Sequence, residues 1–312
     1  MIEFFRINES GFERIEECAG KCWVNIVEPS GEDIAAVASK FGIPDDFLTD
    51  SLDVNERARI ETEDGCTIII IRVSFLNDKG SNIPFSTLPF GIILPADKNK
   101  IITICRRKNK VMTDFIMGRV KNLQLKSNAN FILKIFLRTT LLYLNDLKEI
   151  NELTANIEDE LHESIKNKEL IKLLNLEKSL VYFTTSLKSN DLMMVKLQRV
   201  KSVSLTEEES DMLEDIIIDN RQAIEMADIY SNILSGMMDA FASVISNNLN
   251  IVMKFLTSIS IILMIPTLIA SLYGMNVKLP FQQSPYAFGI TIVLSLALSL
   301  GGILFFINRK WF

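Results

Sequence analysis

The chain has 312 residues, a formal net charge of −6, and 48% hydrophobic against 23% charged residues. That length allows about two domains, and the negative balance argues against nucleic-acid binding. The apolar residues are unevenly spread: positions 1 to about 250 have ordinary soluble character, and the remainder lifts the mean hydropathy above zero.

Met1 to Glu17 carries acids and arginine among its apolar residues and lacks a hydrophobic core of signal-peptide length, so the large N-terminal part is expected in the cytosol. Up to about residue 108, β-branched and aromatic runs predict strands over Glu3 to Ile7, Cys22 to Val27, Ala58 to Thr62, Thr67 to Phe75, Ser86 to Leu94 and Lys100 to Cys105. Helices are predicted over Gly31 to Phe41 and Pro44 to Leu52, with Gly42, Pro44, Asp45 and Asp46 marking the break between them. Helix then takes over, at about 110 to 123, Ala129 to Ile165 and Lys168 to Val203. From Thr206, with acid in the first turn at Glu207 to Glu209, the helical pattern runs without proline to Pro266. Such a helix is on the order of 100 Å long. Its apolar residues, among them Ile216, Ile217, Ala223, Ala227, Tyr230, Leu234 and Met237, need neighbouring helices to cover them.

The four cysteines, Cys18, Cys22, Cys66 and Cys105, lack CxxC pairing and are expected as buried free thiols. His162, the only histidine, lies among Glu158, Asp159, Glu160 and Glu163 and reads as a solvated surface imidazole. No Gly-rich phosphate loop, nucleophile elbow or His-carboxylate zinc motif is present, so nothing specific supports an enzyme.

Phe255 to Tyr273 contains no charged residue over 19 positions, which covers roughly 28 Å, about one hydrocarbon thickness. A second uncharged run, Tyr286 to Ile307, spans 22 positions and is closed by Asn308-Arg309-Lys310-Trp311-Phe312. Two spans make a hairpin that returns the chain to the side it left. Lys254 before the first span and Arg309-Lys310 after the second, against Lys278 alone in the short loop, place both termini inside.

Along the first span one helical face carries Asp239, Ser243, Ser246, Asn250, Met253, Thr257, Ser260, Met264, Thr267 and Ser271. Ile251, Phe255, Ile262, Leu263 and Ile269 lie opposite. Small hydroxyls can serve close helix packing and bond back to the preceding turn. Alternatively the polar face lines a water-filled path. The stripe's continuation into the soluble stalk, with Asp239 and Asn250 near the membrane entrance, favours the path. Two spans cannot enclose a pore alone, so that reading requires a ring of subunits.

The order of α/β domain, helical hairpin, long stalk helix, span, Tyr273-Gly274-Met275-Asn276, short loop, span and basic-aromatic tail resembles the CorA family of magnesium channels. The resemblance covers essentially the whole chain and extends to Trp23-Val24-Asn25-Ile26, Phe41-Gly42-Ile43-Pro44 and Leu48-Thr49-Asp50-Ser51-Leu52. It implies a funnel-shaped homopentamer in the cell (inner) membrane, with an α/β cytosolic domain over residues 1–125 and a helical hairpin over 126–205. The stalk would run over 206–272, with its membrane part at about 252–272; the outer loop would be 273–285, the second span 286–307 and the cytosolic tail 308–312. The first spans would line the pore.

By the same resemblance, Gly274, Met275 and Asn276 form the selectivity filter, with five Asn276 amides holding hydrated Mg²⁺ by its water shell. A plain helix C-cap is the structural alternative for Gly274 and Asn276. Asp239 and Asn250 match the acidic and polar pore rings, Thr267 a polar ring near the outer end, and Leu256 and Met264 the apolar constrictions. Asp50 and Asp215 match two carboxylates that share regulatory Mg²⁺ across a subunit interface. Three departures stand out: the outer loop, Val277 to Pro285, has no carboxylate, Pro266 sits one place later than in the family pattern, and the inner basic cluster is short, only Arg309 and Lys310. Co²⁺ and Ni²⁺ are alternative substrates. A Zn²⁺ transporter of the same architecture and a non-conducting membrane-anchored scaffold are the alternative functions, and Met275 favours the magnesium branch.

Overall fold

The computed structural model describes residues 1–8, 11–18, 20–78, 80–97, 99–120, 127–163, 167–200, 203–277, 279–280, 284–309 and 311. Lys278 and Lys310 therefore lie outside the described residues, as does the side chain of His162. The chain divides into two compact units, Met1–Gly236 and Met237–Phe312.

The first unit is built on a seven-stranded sheet: β1 (Ile2–Asn8), β2 (Gly11–Ile15), β3 (Cys22–Val27), β4 (Arg59–Glu63), β5 (Cys66–Leu76), β6 (Phe85–Leu94) and β7 (Lys100–Cys105). Its order is β2-β1-β3-β7-β6-β5-β4, antiparallel except where β3 lies parallel to β7. Six strands fall where the sequence pattern puts them, within a residue at each end; β2 is additional, a five-residue edge strand paired to β1. The β4–β5 hairpin turns at Asp64 and Gly65, both at positive φ, the backbone that an Asp-Gly pair favours.

Side chains alternate across the sheet with period two. Val24, Ile26, Ile68, Ile70, Ile102 and Ile104 pack on one face against α1 (Gly31–Phe41) and α2 (Asp45–Asp50), through Val37, Ala38, Phe47 and Leu48. Ile69, Ile71, Val73, Phe90, Ile92 and Trp23 point to the other face. There they meet α3 (Lys110–Ile116), α4 (Asn128–Glu163), α5 (Asn167–Leu197) and the start of α6 (Glu207–Tyr273). Both faces are covered, which is why β5 and β6 read as nearly continuous apolar runs.

Local signals set the helix ends. Ser30 closes a capping box with Asp33, and Gly42 ends α1 in the left-handed region. Thr206 and Glu209 cap each other reciprocally, starting α6 at the position expected from its acids. The α5 helix stops at Leu197, six residues before the expected Val203, because Arg199 and Val200 tighten into three-residue turns on Lys196 and Leu197.

The cysteines differ from expectation in one respect. Cys66 and Cys105 are buried and free, but Cys18 is joined to Cys22 in a disulfide. The turn through Gly20, at positive φ, brings the two Cα atoms to 5.8 Å, within bridging range. Spacing alone had suggested no pair.

The second unit holds the rest of α6 and α7 (Ala287–Asn308). Both helices are long and apolar enough to cross a membrane, and most of their apolar windows are exposed. Phe288, Val293, Leu296, Leu263 and Leu268 are all more than 60% exposed, a surface that water would not tolerate and lipid would. After α7, Trp311 packs on Phe306 and the Arg309 guanidinium lies over Phe305.

Candidate functional site

Helical geometry puts Asp239, Ser243, Ser246, Asn250, Met253, Thr257, Ser260, Met264, Thr267 and Ser271 on one line along α6, and every one of them is exposed. A second line runs through Ser258, Ile262, Ile265 and Ile269; Ser258 and Ile269 are buried. Gly302 of α7 faces this second line, since a Cβ built there would stand 3.5 Å from Ile265 and 3.8 Å from Ile262. The two lines are roughly 140° apart at about 100° per residue. The second span therefore packs on a different face of α6, and the polar stripe is left uncovered within the chain.

Three of the six hydroxyls on that stripe have a defined polarity. Ser243, Ser260 and Thr267 donate to the carbonyls of Asp239, Leu256 and Leu263, four residues earlier, at 2.9–3.0 Å. With the hydrogen turned back into the helix, each oxygen presents lone pairs outward. Met253 and Met264 interrupt the line with apolar side chains 53% and 69% exposed, and Leu256, 57% exposed, lies beside it.

At the C-terminal end of α6, Gly274 and Met275 close the helix with N–H bonds to Ala270 and Leu272 carbonyls. Gly274 is not in the left-handed region, so it is not a cap of that type. Its missing side chain matters for space: a Cβ would approach the Ala270 carbonyl to 3.2 Å. Met275 and Asn276 are exposed, and among the described residues the Asn276 amide has no hydrogen-bond partner. Tyr273 Oη donates to the Pro280 carbonyl at 3.3 Å, bracing the start of the loop.

In the first unit Asp50 ends α2, which closes tightly on the sheet because a Cβ at Gly91 would overlap Ser51 and Ile104. Asp50 accepts from Arg59 at 2.6 Å. Arg59 also pairs with Glu56 at 3.0 Å and with Glu61, so three carboxylates share one guanidinium. Asp215 lies exposed on α6 without an ion pair among the described residues. The Arg59 cluster is not among the expectations for Asp50 drawn from the residues, which pair it with Asp215 through Mg²⁺. Its members come from the end of α2, the segment after it and β4, and no spacing rule joins them.

The fold and the two exposed apolar helices define a membrane protein that carries an α/β unit. The chain belongs to the CorA-like Mg²⁺ transporter protein family, whose model matches residues 19–310. It is 27% identical over 294 residues to the cobalt/magnesium transport protein CorA of Methanocaldococcus jannaschii, covering 93% of this chain and 90% of that protein. It is 23% identical over 295 residues to the protein of the same description from Thermotoga maritima, covering 93% and 83%. The complete CorA magnesium transporter structure from M. jannaschii superposes with a TM-score of 0.86 at 25% identity, over 100% of this chain and 99% of that one.

Proposed function

We propose that this chain is one subunit of a homopentameric channel that imports Mg²⁺, and also accepts Co²⁺, across the cell membrane, with both termini in the cytoplasm. The observation that carries the reading is the polar face of α6 that α7 leaves uncovered, ending at Gly274-Met275-Asn276. In a ring, five such faces enclose a path. Asp239 draws cations to its inner end, and Ser246, Asn250, Thr257, Ser260, Thr267 and Ser271 offer oxygen to a hydrated ion. Leu256, Met253 and Met264 narrow it. Five Asn276 amides at the outer end hold the water shell of Mg²⁺ without stripping it.

In this assignment residues 1–125 and 126–205 form the cytosolic sensor, 206–272 the stalk and pore helix, 273–285 the outer loop, and 286–307 the peripheral span. Asp50 of one subunit and Asp215 of the next share regulatory Mg²⁺, which relieves their repulsion and holds the pore shut. The relatives named as cobalt and magnesium transporters support this reading, and the family is one of transporters rather than enzymes.

The test is Mg²⁺ flux into liposomes containing the purified protein. Wild type is expected to conduct, while Asn276→Ala loses uptake and keeps its oligomer size. Near-normal uptake by the variant refutes the filter. Absence of any divalent flux in wild type favours the scaffold, and Zn²⁺ flux without Mg²⁺ flux favours the zinc branch.

A further inference from the structure

A cleft of the first unit, about 940 Å³, lies between β5, β6, the segment around residues 54–58 and one face of α5. In a chain with 39 acids and 33 lysines and arginines, its lining contains Arg57, Arg72 and Lys188 and no carboxylate. That bias runs against the net charge of the whole protein, so it calls for a local explanation.

Arg72 is the centre of the arrangement. It donates from Nε to Ser186 Oγ at 3.0 Å, from Nη1 to the carbonyls of Val54 and Glu56 at 3.0 and 2.5 Å, and from Nη2 to Thr87 O at 3.1 Å. These acceptors are all neutral. The Glu56 carboxylate, which acts on Arg72 at longer range, is itself held by Arg59. Burial works against the charge on Arg72, and its donors are engaged, so it offers the cleft a positive field rather than free hydrogen bonds.

Donors come from the rim. Arg57 is exposed and has no ion pair among the described residues. Among the described residues Lys188 has one ion-pair partner, Asp228 at 3.2 Å, in a pair about half exposed on both sides. Ser189 Oγ accepts from Ala58 N at 3.0 Å, which leaves its own hydrogen to donate. Tyr182, 43% exposed, stands on the same α5 face, about 10 Å of helix rise from Ser189. A cationic end and an aromatic face at that separation suit a phosphate-bearing group with a flat organic moiety.

We propose that this cleft binds a phosphoryl anion, with Arg57, Lys188 and Ser189 taking the oxygens over the field of Arg72, and Tyr182 stacking on a nucleotide base where one is present. The cleft holds none of the stripe residues of α6 and adjoins the Arg59 cluster through the segment 54–58, so its occupancy is read by ligand binding rather than by conduction.

The experiment is equilibrium dialysis of the detergent-purified full chain in magnesium-free buffer, with ATP and, separately, with inorganic tripolyphosphate. Saturable binding of at least one ligand, weakened roughly tenfold by Arg57→Ala and by Lys188→Ala, is expected. Both substitutions are at exposed side chains, so folding is preserved. Tyr182→Ala identifies the source: loss for ATP alone supports a nucleotide, and no loss for either ligand supports an inorganic polyphosphate. No saturable binding of either ligand, or binding indifferent to both charge substitutions, overturns the proposal.

Discussion

Arg59 already occupies the position that the proposed regulatory Mg²⁺ would share, because it holds Asp50 at 2.6 Å and spreads its charge over Glu56 and Glu61. Arg59→Gln should therefore strengthen Mg²⁺ binding rather than weaken it. The Arg59 and Asp50 side chains are 30% and 37% exposed, so the pair itself contributes only about 0.2–1 kcal/mol after solvent screening. A larger effect is repulsion between the guanidinium and the divalent ion. With one carboxylate touching both, their separation is about 6 Å, and 332 × 2/(80 × 6) gives about 1.4 kcal/mol in water, a factor of about ten. The assay is protection of the stalk from limited proteolysis as Mg²⁺ is titrated. Wild type gains protection, Asp215→Ala needs more Mg²⁺, and Arg59→Gln reaches its midpoint at roughly one-tenth of the wild-type concentration. In the Asp215→Ala background the Arg59→Gln shift should shrink, since the two residues then no longer serve one ion. A midpoint that is unchanged or moves to higher Mg²⁺ refutes the shared site, and an equal shift in both backgrounds assigns the effect to local loosening.

Cysteine placed at Thr257, Ser260 or Thr267 should react with small water-soluble thiol reagents in an open channel, while cysteine at Ile262, on the line that meets Gly302, should not; equal labelling of both faces would favour lipid or packing contacts for the stripe. Burial pushes the Asp146 carboxyl up to about 6, with Ser74 and Lys110 drawing it back and Glu149 adding to the rise. Because the folded value exceeds the unfolded one, the native state binds the extra proton, and stability present at low pH is lost as pH rises through about 6. Asp146→Asn should accordingly raise stability by up to about 3 kcal/mol above about pH 7 and leave it nearly unchanged near pH 4, as read from denaturation midpoints. A pH-independent effect would mean that packing in the cavity with Lys108, Lys110 and Glu149, not ionisation, dominates there.

Periodic features were legible in the residues because periodicity follows from backbone geometry alone. The alternation along Ile68 to Val73 and the ten-residue stripe on α6 belong to this kind. Features made by tertiary closure were not. Arg59 gathers Asp50, Glu56 and Glu61 only because Gly91 lets the end of α2 settle on the sheet, and no pattern in residues 50 to 61 announces it. The Cys18–Cys22 bridge depends on one turn at Gly20, and β2 depends on pairing with β1 rather than on its own composition, Gly-Phe-Glu-Arg-Ile. The cationic cleft is assembled from β5, β6, α5 and a loop that lie more than 100 residues apart at the extremes.

The stripe shows how a structural detail turns a composition into a chemical preference. A serine facing a path could donate or accept, and composition does not distinguish the two. Once Ser243, Ser260 and Thr267 give their hydrogens to the preceding turn, only acceptance is left to the outward side. A hydrated cation presents the hydrogens of its waters, whereas a hydrated anion presents water oxygens. A face bearing three such oriented oxygens, with Asp239 toward one end and at the other the Asn276 amide, which has no hydrogen-bond partner among the described residues, thus suits a cation that keeps its shell. Mg²⁺ sheds water reluctantly, so contact with the shell costs less than contact with the bare ion. The same argument explains why so few charges are needed. A line of carboxylates would hold a divalent ion too tightly to let it leave, and hydroxyl oxygens bind its shell weakly enough for passage.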